Sequence, residues 1–464
     1  MHKINRTFVL SVSFLLGLLV TAIAAPAQTF TTLYSFNRPG GDQPESPLVQ
    51  GIDGNLFGTT QLGGAYDAGT VFRVAPNGTV TRLHNFDITD GQYPIAGLVQ
   101  AADGNFYGTA LQGGAAGYGT VFKINPSGKF TTLHSFDGSD GANPHAGLIQ
   151  GTDGYLYGTT FAGGENDYGT IFKTSPGGAL TTLHSFDGSD GANPASVLFQ
   201  SSDGNLYGTA YTGGPNDEGT VFKITPSGSL TTLYSFCLQD GCPDGADPYA
   251  GLVQIGGNFY GTTVFGGAYR SYGAVFMINP NGILTTLHSF DSTDGYAPYG
   301  LVEGTDGNLY GTTQGGGANG EGTIFTITPS GTLTTLYNFC SQSGCADGRD
   351  ALGGLVQDTS GIFYGTTAGG GALRVGTVFS LSVGLGPFVE AQPTSGKAGR
   401  PVKILGTNLT GATSVTFNGT TATFTVASPS LITTTVPAGA TTGTVQVVTP
   451  GGTLSSNVPF RVIP

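Results

Sequence analysis

Three kinds of residue in this chain have types and spacings that suit chemistry. Aspartates come first. The stretch TTLHSFDGSDGANP stands letter for letter at 131–144 and at 181–194, and each copy sets two acids three residues apart, Asp137 with Asp140 and Asp187 with Asp190. Related loops read DITDGQYP (87–94) and DSTDGYAP (291–298). Carboxylates joined by loop carbonyls are the ligands calcium takes, which makes Asp137, Asp140, Asp187 and Asp190 the candidate metal set. The competing expectation is punctuation: Asp bonds its own backbone and Gly supplies positive φ. Two carboxylates are few for calcium and the spacing is not that of an EF-hand, so the turn reading leads. Beyond this calcium the sequence calls for no cofactor.

Cysteines come second. Cys237–Cys242 and Cys340–Cys345 share one C-x4-C spacing, and each pair opens a loop longer than its counterparts elsewhere in the chain. In an exported protein this reads as two local disulfides. The third set is aromatic. His84, His134, His184 and His288 occupy one repeated position that Tyr34, Tyr234 and Tyr337 fill elsewhere, so packing or edge hydrogen bonding explains them. His145 stands alone in a loop and is a ligand-site candidate. With no Trp in the chain, Tyr66, Tyr118, Tyr168, Tyr249 and Tyr299 are the candidates for stacking on a sugar, against a plainer role in loop packing. No GxSxG, HExxH or phosphate loop is present.

The elements that must position these residues are repeats. DGNLYGTT recurs seven times, from DGNLFGTT (53–60) to SGIFYGTT (360–367), about fifty residues apart. GLVQ precedes each copy and GTVF follows it. TTLHSF also occurs seven times but out of phase: one copy (31–36) stands before the first GLVQ and none follows the last GTVF. Each word is short, rich in Val, Ile, Thr, Phe and Tyr, and bounded by Gly, Pro, Asn or Asp, which are strand signals. The words therefore define strands a (GLVQ), b (LYGTT), c (GTVFKI) and d (TTLHSF). Four antiparallel strands in seven units predict an all-β, seven-bladed β-propeller over 28–383, with the orphan strand at 31–36 completing the last blade. The a–b and c–d turns then share one face. The longer, variable d–a and b–c loops share the other, where binding is expected.

These four words, in order, resemble the GloVer tandem-repeat family of secreted bacterial proteins, across roughly 29–382. The resemblance implies the repeat and implies no reaction. Residues 387–464 read as short strands between Gly, Pro and Asn turns, a small β-sandwich. Pro393, Ser395-Gly396, Gly399, VKILGTNL (402–409), VPAGA (436–440), Gly451-Gly452 and Phe460 resemble the IPT/TIG immunoglobulin-like domains, which implies a spacer or binding module.

The first 27 residues carry Lys3 and Arg6, an apolar run and small residues at a cleavage-like site, the pattern of a signal peptide; the expectation is a secreted, surface or periplasmic protein. Losing Lys3 and Arg6 with that segment takes the formal charge from −13 to −15. Scattered bases in an acidic chain argue against nucleic acid, and no later run is long and apolar enough for a membrane span. The leading expectation is a non-enzymatic binding or scaffold protein whose partner is an extracellular glycan or surface protein. The alternative is a propeller hydrolase or lyase acting on extracellular polysaccharide. The residues that break the repeat decide between them: Glu45, His145, Glu165, Glu218, Arg270, Glu303, Glu321 and Arg349. Carboxylates gathered within about 10 Å at one mouth favour the enzyme, since glycoside hydrolysis works with a carboxylate pair.

Overall fold

A computed structural model describes residues 28–463, so the expected signal peptide at 1–27 lies outside the described residues. The chain is all-β. Among the described residues there is no α-helix, and one short 3-10 turn, Ser343–Cys345, sits in the second cysteine loop.

Residues 29–382 form repeated four-stranded antiparallel sheets. In the first, Val49–Gln50, Leu56–Thr60, Thr70–Val74 and Val80–Asn85 pair in chain order. Five more sheets repeat that order, ending with Tyr296–Glu303, Leu309–Gly315, Thr323–Ile327 and Leu333–Asn338. The last sheet takes Leu355–Gln357, Phe363–Thr367 and Thr377–Ser382, and its fourth strand is Thr29–Ser35, with Thr29 opposite Ser382 and Ser35 opposite Thr377. Strand a is shorter than the word GLVQ suggests, two residues in the first four units, because the Gly- and Pro-rich segment ahead of it does not pair. Strand b is buried along its whole length and strand d only partly, so b lies between neighbouring sheets and d lies at the rim.

One core motif holds each sheet to the next. Phe57, Val71 and Phe86 of the first sheet pack against Leu98, Phe106, Phe122 and Ile124 of the second. The same positions meet at the following interfaces, for example Tyr207, Val221 and Phe236 against Leu252, Phe259, Phe276 and Ile278. The last sheet packs on the sixth through Phe339, Phe363, Phe379 and Leu381, and on the first through Tyr364, Val378, Phe36, Leu48, Leu56 and Phe72. Burying each such Phe or Leu contributes roughly 1.5–3 kcal/mol. The glycine of YGTT makes room for this packing. A Cβ on Gly58 would lie 2.7 Å from Leu48 and 2.8 Å from the Phe72 ring. Polar links follow the same path: the amide oxygen of Gln100 accepts from Ile52 N–H at 2.9 Å, Gln150 from Ala102 at 2.8 Å, and Gln50 from Thr359 at 3.0 Å.

The segment after 388 forms two further four-stranded sheets. One orders Val389–Gln392, Pro401–Gly406, Leu431–Thr435 and Phe424–Ser428; the other orders Thr420–Thr421, Ser414–Phe417, Val445–Thr449 and Gly452–Ser455. Their facing residues, including Val402, Ile404, Val415, Phe417, Ile432, Val447 and Phe460, share one core. This unit touches the a–b turns of the repeats: Lys403 Nζ donates to Ala102 O at 3.3 Å, Arg461 Nη1 to Ser201 O at 3.4 Å, and Phe388 N–H to Thr359 O at 3.1 Å.

Candidate functional site

The aspartate loops are latches. Asp137 Oδ1 accepts from the N–H groups of Ser139 and Asp140 at 2.9 and 3.2 Å and from the Ser139 hydroxyl at 2.7 Å. Asp140 Oδ1 accepts from Asp137 N–H at 3.0 Å, and its other oxygen meets His134 Nε2 at 2.7 Å. Asp187 and Asp190 repeat this with Ser189 and His184. Hydrogen bonds from Ser139 and from the loop N–H groups hold Asp137 below the usual carboxylate range, and Ser189 leads the same effect at Asp187. The repeated strand-d histidine is thus the outer half of the latch. Tyrosine replaces it where expected: Tyr234 donates to Asp244 and Tyr337 to Asp347, both at 2.8 Å. In each pair of candidate calcium ligands, one oxygen of the first aspartate and both oxygens of the second are thus engaged by the loop and the strand-d histidine. Among the described residues the one cluster with metal-ligand proximity is Glu218, Cys237 and Cys242. Its two sulfurs are bonded to each other, as Cys340 and Cys345 are.

The candidate tyrosines divide. Tyr66, Tyr118 and Tyr168 stand exposed on b–c loops, and the rings of Tyr118 and Tyr168 lie against Gly138 and Gly188 of the latch loops. Tyr249 and Tyr299 instead line a cavity of about 340 Å³, and His145 lines it with them.

That cavity is built from one repeated position. Each d–a loop ends in a prolyl residue (Ala351 in the last unit), and the next residue enters the lining: Glu45, Ile95, His145, Ala195, Tyr249, Tyr299 and Leu352. Backbone geometry holds the position. The residue two places ahead of it, just before the prolyl, takes a left-handed conformation in every unit, φ 53° at Asn143, 57° at Asp247 and 55° at Asp350, and its N–H bonds a b–c loop carbonyl, as Asn143 does to Tyr118 at 2.8 Å. The rest of the wall is Pro, Ala, Gly, Leu and Val from the start of strand a.

The lining differs from side to side. His145 stacks on Phe161 with centroids 4.4 Å apart, and its Nδ1 lies 3.3 Å from the Tyr249 hydroxyl. Tyr211 and Tyr249 meet edge to face at 5.7 Å, Tyr249 and Tyr299 at 5.5 Å. Opposite them stands Glu45. Burial, with repulsion from Asp350 added, pushes its carboxyl up to about 7. Burial pushes His145 down to about 4, so its ring is neutral at pH 7. Burial and then the charge of Glu45 raise Tyr249 to about 12, and burial and then Tyr249 raise Tyr299. Behind Glu45, Asp350 is raised by burial although Arg349 opposes it; Arg349 lies 3.7 Å from Asp350 and 3.9 Å from Glu321. A second acidic set flanks Tyr211. Asp247 is pushed up to about 6, first by burial and then by Glu218. Two buried threonine hydroxyls on this side, Thr262 and Thr312, have no hydrogen-bond partner among the described residues, whereas their counterparts Thr59 and Thr109 donate to Ala96 O and Ala146 O at 3.1 and 3.0 Å.

Of the eight repeat-breaking residues, Glu45 and His145 line this mouth; Glu218 and Glu321 sit on b–c loops at the position of Tyr118 and Tyr168, Glu218 acting on Asp247 and Glu321 pairing with Arg349 beside Asp350. Glu165 sits exposed on a b–c loop and Arg270 lies over Gly241 of a cysteine loop. Glu303 ends strand a at the opposite end, where the other units carry Gln. Asp350, Asp247, Tyr211 and Phe161 were not singled out from the sequence. Their signal is variation at otherwise regular positions: the residue after GTT or GTA reads Gln, Leu, Phe, Tyr, Val, Gln, Ala through the units.

The family model of the Gloeobacter/Verrucomicrobia repeat matches residues 17–152, 78–258, 127–300 and 241–425. No curated protein matches the sequence. Among solved structures, a gluconolactonase from Xanthomonas campestris aligns at 16% identity over 67% of this chain and 91% of its own, with a TM-score of 0.41. A Bacteroides uniformis protein described as a candidate 6-phosphogluconolactonase aligns at 16% identity over 69% and 96%, with a TM-score of 0.43. Likeness at that level assigns no activity to this chain.

Proposed function

We propose that this chain, which belongs to the Gloeobacter/Verrucomicrobia repeat family, is a secreted acid–base enzyme, a hydrolase or lyase acting on extracellular carbohydrate at the cavity of Glu45, His145, Tyr249 and Tyr299. The observation that carries the reading is convergence. Seven equivalent post-prolyl residues line one mouth, and the two of them that break the repeat with titratable side chains, Glu45 and His145, stand there together, Glu45 with its carboxyl held near 7. A general acid–base works best with its pKa near the operating pH. Glu45 supplies that group, and Asp350 is the second carboxylate close enough to perturb it. Neutral His145 and the protonated Tyr249 hydroxyl are hydrogen-bonding partners for sugar hydroxyls. A cavity of about 340 Å³ suits a ligand of one or two sugar rings.

In this reading the repeat region is a seven-bladed propeller, with Thr29–Ser35 closing the ring and the cavity on its axis. The pairing of that strand with Thr377–Ser382 and the packing of the last sheet on the first support it. The C-terminal unit is an IPT/TIG-like domain seated on the a–b turns, away from the cavity, and the leader at 1–27 directs export. Two local disulfides suit that compartment. The second reading, a binder without turnover, is favoured by the Ala, Gly and Leu that make up most of the wall. One experiment separates the two. The purified chain is assayed for new reducing ends or unsaturated products on a polysaccharide panel, beside Glu45→Gln. Turnover lost in the variant supports the enzyme; binding without turnover in the parent chain selects the binder; turnover unchanged in Glu45→Gln refutes the assignment of Glu45.

A further inference from the structure

The two sides of the cavity ask different things of a ligand. Units three to six contribute rings: His145, Phe161, Tyr211, Tyr249 and Tyr299 form a chain of contacts between 4.4 and 6.4 Å. The first and last units contribute Glu45 in the wall and Asp350 beside it, with Glu321 of the sixth unit beyond, across Arg349; a second acidic pair, Asp247 and Glu218, flanks Tyr211 on the ring side. No Lys or Arg lines the cavity. The nearest base in this cluster, Arg349, is shared by Glu321 and Asp350 at 3.9 and 3.7 Å. A Glu45 carboxylate formed here is therefore desolvated without a counter-ion in the wall.

We infer that the natural occupant carries a protonated amine, an amino sugar whose ammonium meets Glu45 while its ring face rests on Tyr249 and Tyr299. The inference rests on the cavity being the site, as proposed above. An ammonium beside Glu45 supplies the missing charge in a medium where Coulomb attraction is stronger than in water. Tyrosine faces attract cations through their quadrupole, which favours the same ligand. A neutral sugar fits the rings but leaves the carboxylate uncompensated, and a uronate adds repulsion. Glu45 is faced by Asp350, Tyr249 and Tyr299, shares the wall with His145, and has Arg349 and Glu321 one step behind. Glu45, pushed up to about 7, and Asp247, pushed up to about 6 beside Tyr211, change charge between pH 5.5 and 8, and of the two it is Glu45 that stands in the wall at the ammonium. Because Glu45 is protonated well below pH 7, the amine binds more tightly as pH rises and expels a proton on binding.

The test is titration calorimetry with 6-amino-6-deoxyglucose and with glucose at pH 5.5, 7 and 8, in two buffers of different ionisation heat. The nearby ring oxygen makes this amine less basic than that of a lysine, but it is still mainly in its charged form at pH 8. The expected result is at least tenfold preference for the amine at pH 8, near-equal binding at pH 5.5, and proton release near pH 7. Glu45→Gln is expected to abolish the preference. Melting temperatures of parent and variant control for folding, and Tyr299→Ala, which weakens both sugars by removing the ring face, reports on the cavity separately. Equal affinity for the two sugars, or a preference that survives Glu45→Gln, overturns the amine and leaves the cavity standing. Glucosides that bind at unchanged affinity in Tyr299→Ala overturn the cavity reading itself. A parent chain that binds neither sugar overturns both.

Discussion

Glu45 makes a prediction that runs against ordinary expectations of mutation: its isosteric replacement should stabilise the protein. The carboxyl moves from an ordinary 4.5 to about 7 in the folded chain. A native state with a raised carboxyl pKa keeps a proton that the unfolded chain has lost. Stability therefore falls as pH rises from about 4.5 to about 7, and is level above that. At 1.36 kcal/mol for each pKa unit, the full loss is about 3 kcal/mol. Glutamine keeps the shape and carries no charge at any pH, so Glu45→Gln removes the loss. The assay is urea denaturation of both proteins between pH 4 and 8.5, compared through their midpoints at constant m. The difference should be near zero at pH 4, grow through pH 5 to 7, and reach about 3 kcal/mol in favour of the variant above pH 7. His145 and Asp247 also titrate, but both proteins carry them and their contributions cancel. Parallel curves across the range would refute the claim that the cavity holds a strained acid. A variant less stable at pH 8 would refute it more strongly. Sites that trade stability for activity commonly behave in the predicted way.

Other outcomes follow from the same geometry. Phe30 stacks on Tyr337 at 3.8 Å and touches Phe339 and Phe379, so Phe30→Ala should cost about 3 kcal/mol and loosen the sheet it completes, seen as faster amide exchange in Thr377–Ser382. Asp140→Ala removes the acceptor of both His134 and the Asp137 N–H and should cost about 1–3 kcal/mol, while calcium chelation leaves the melting temperature of the parent chain unchanged. Replacing Cys237 and Cys242 with Ser should cost about 2 kcal/mol, since the bridge closes a very short loop, with no change in ligand affinity. Lys403→Ala with Arg461→Ala should free the C-terminal unit from the a–b turns, read as new proteolysis near 383–388, without altering the pH profile of the cavity.

Much of the architecture could be read from the chain because one period wrote it seven times. DGNLYGTT, GTVF and TTLHSF became strands b, c and d in place, and the extra TTLYSF at the start pairs with the GTVF strand of the last unit. Residues that recur in register do so because one interface recurs, and Phe72, Phe122, Phe172 and Phe222 occupy equivalent places in successive cores. The His-for-Tyr exchange in strand d was also legible, since both reach the latch aspartate with a hydrogen-bonding atom. The site was harder. His145, Tyr249 and Tyr299 share the position following the prolyl residue, with Ala195 between the first two, but that alignment gains meaning only when seven loops converge. Tyr66, Tyr118 and Tyr168 look equally promising as letters and lie on the rim, because a b–c loop tip faces outward where the post-prolyl residue faces inward. Glu45 was recognisable as a break in the repeat. Its role depends on Asp350, more than three hundred residues away in sequence and adjacent only through the packing of the last sheet on the first.

The central claim is that ligand sits among the post-prolyl residues rather than on the variable loop tips or the C-terminal unit. A crystal soaked with chitosan and cello-oligosaccharide fragments tests it most directly. The account predicts sugar density inside the cavity, with a ring over Tyr249 and Tyr299 and a polar group at the Glu45 carboxyl. Density confined to the outer loops around Tyr66 and Tyr168, or to the a–b turn face near Lys403, would contradict it.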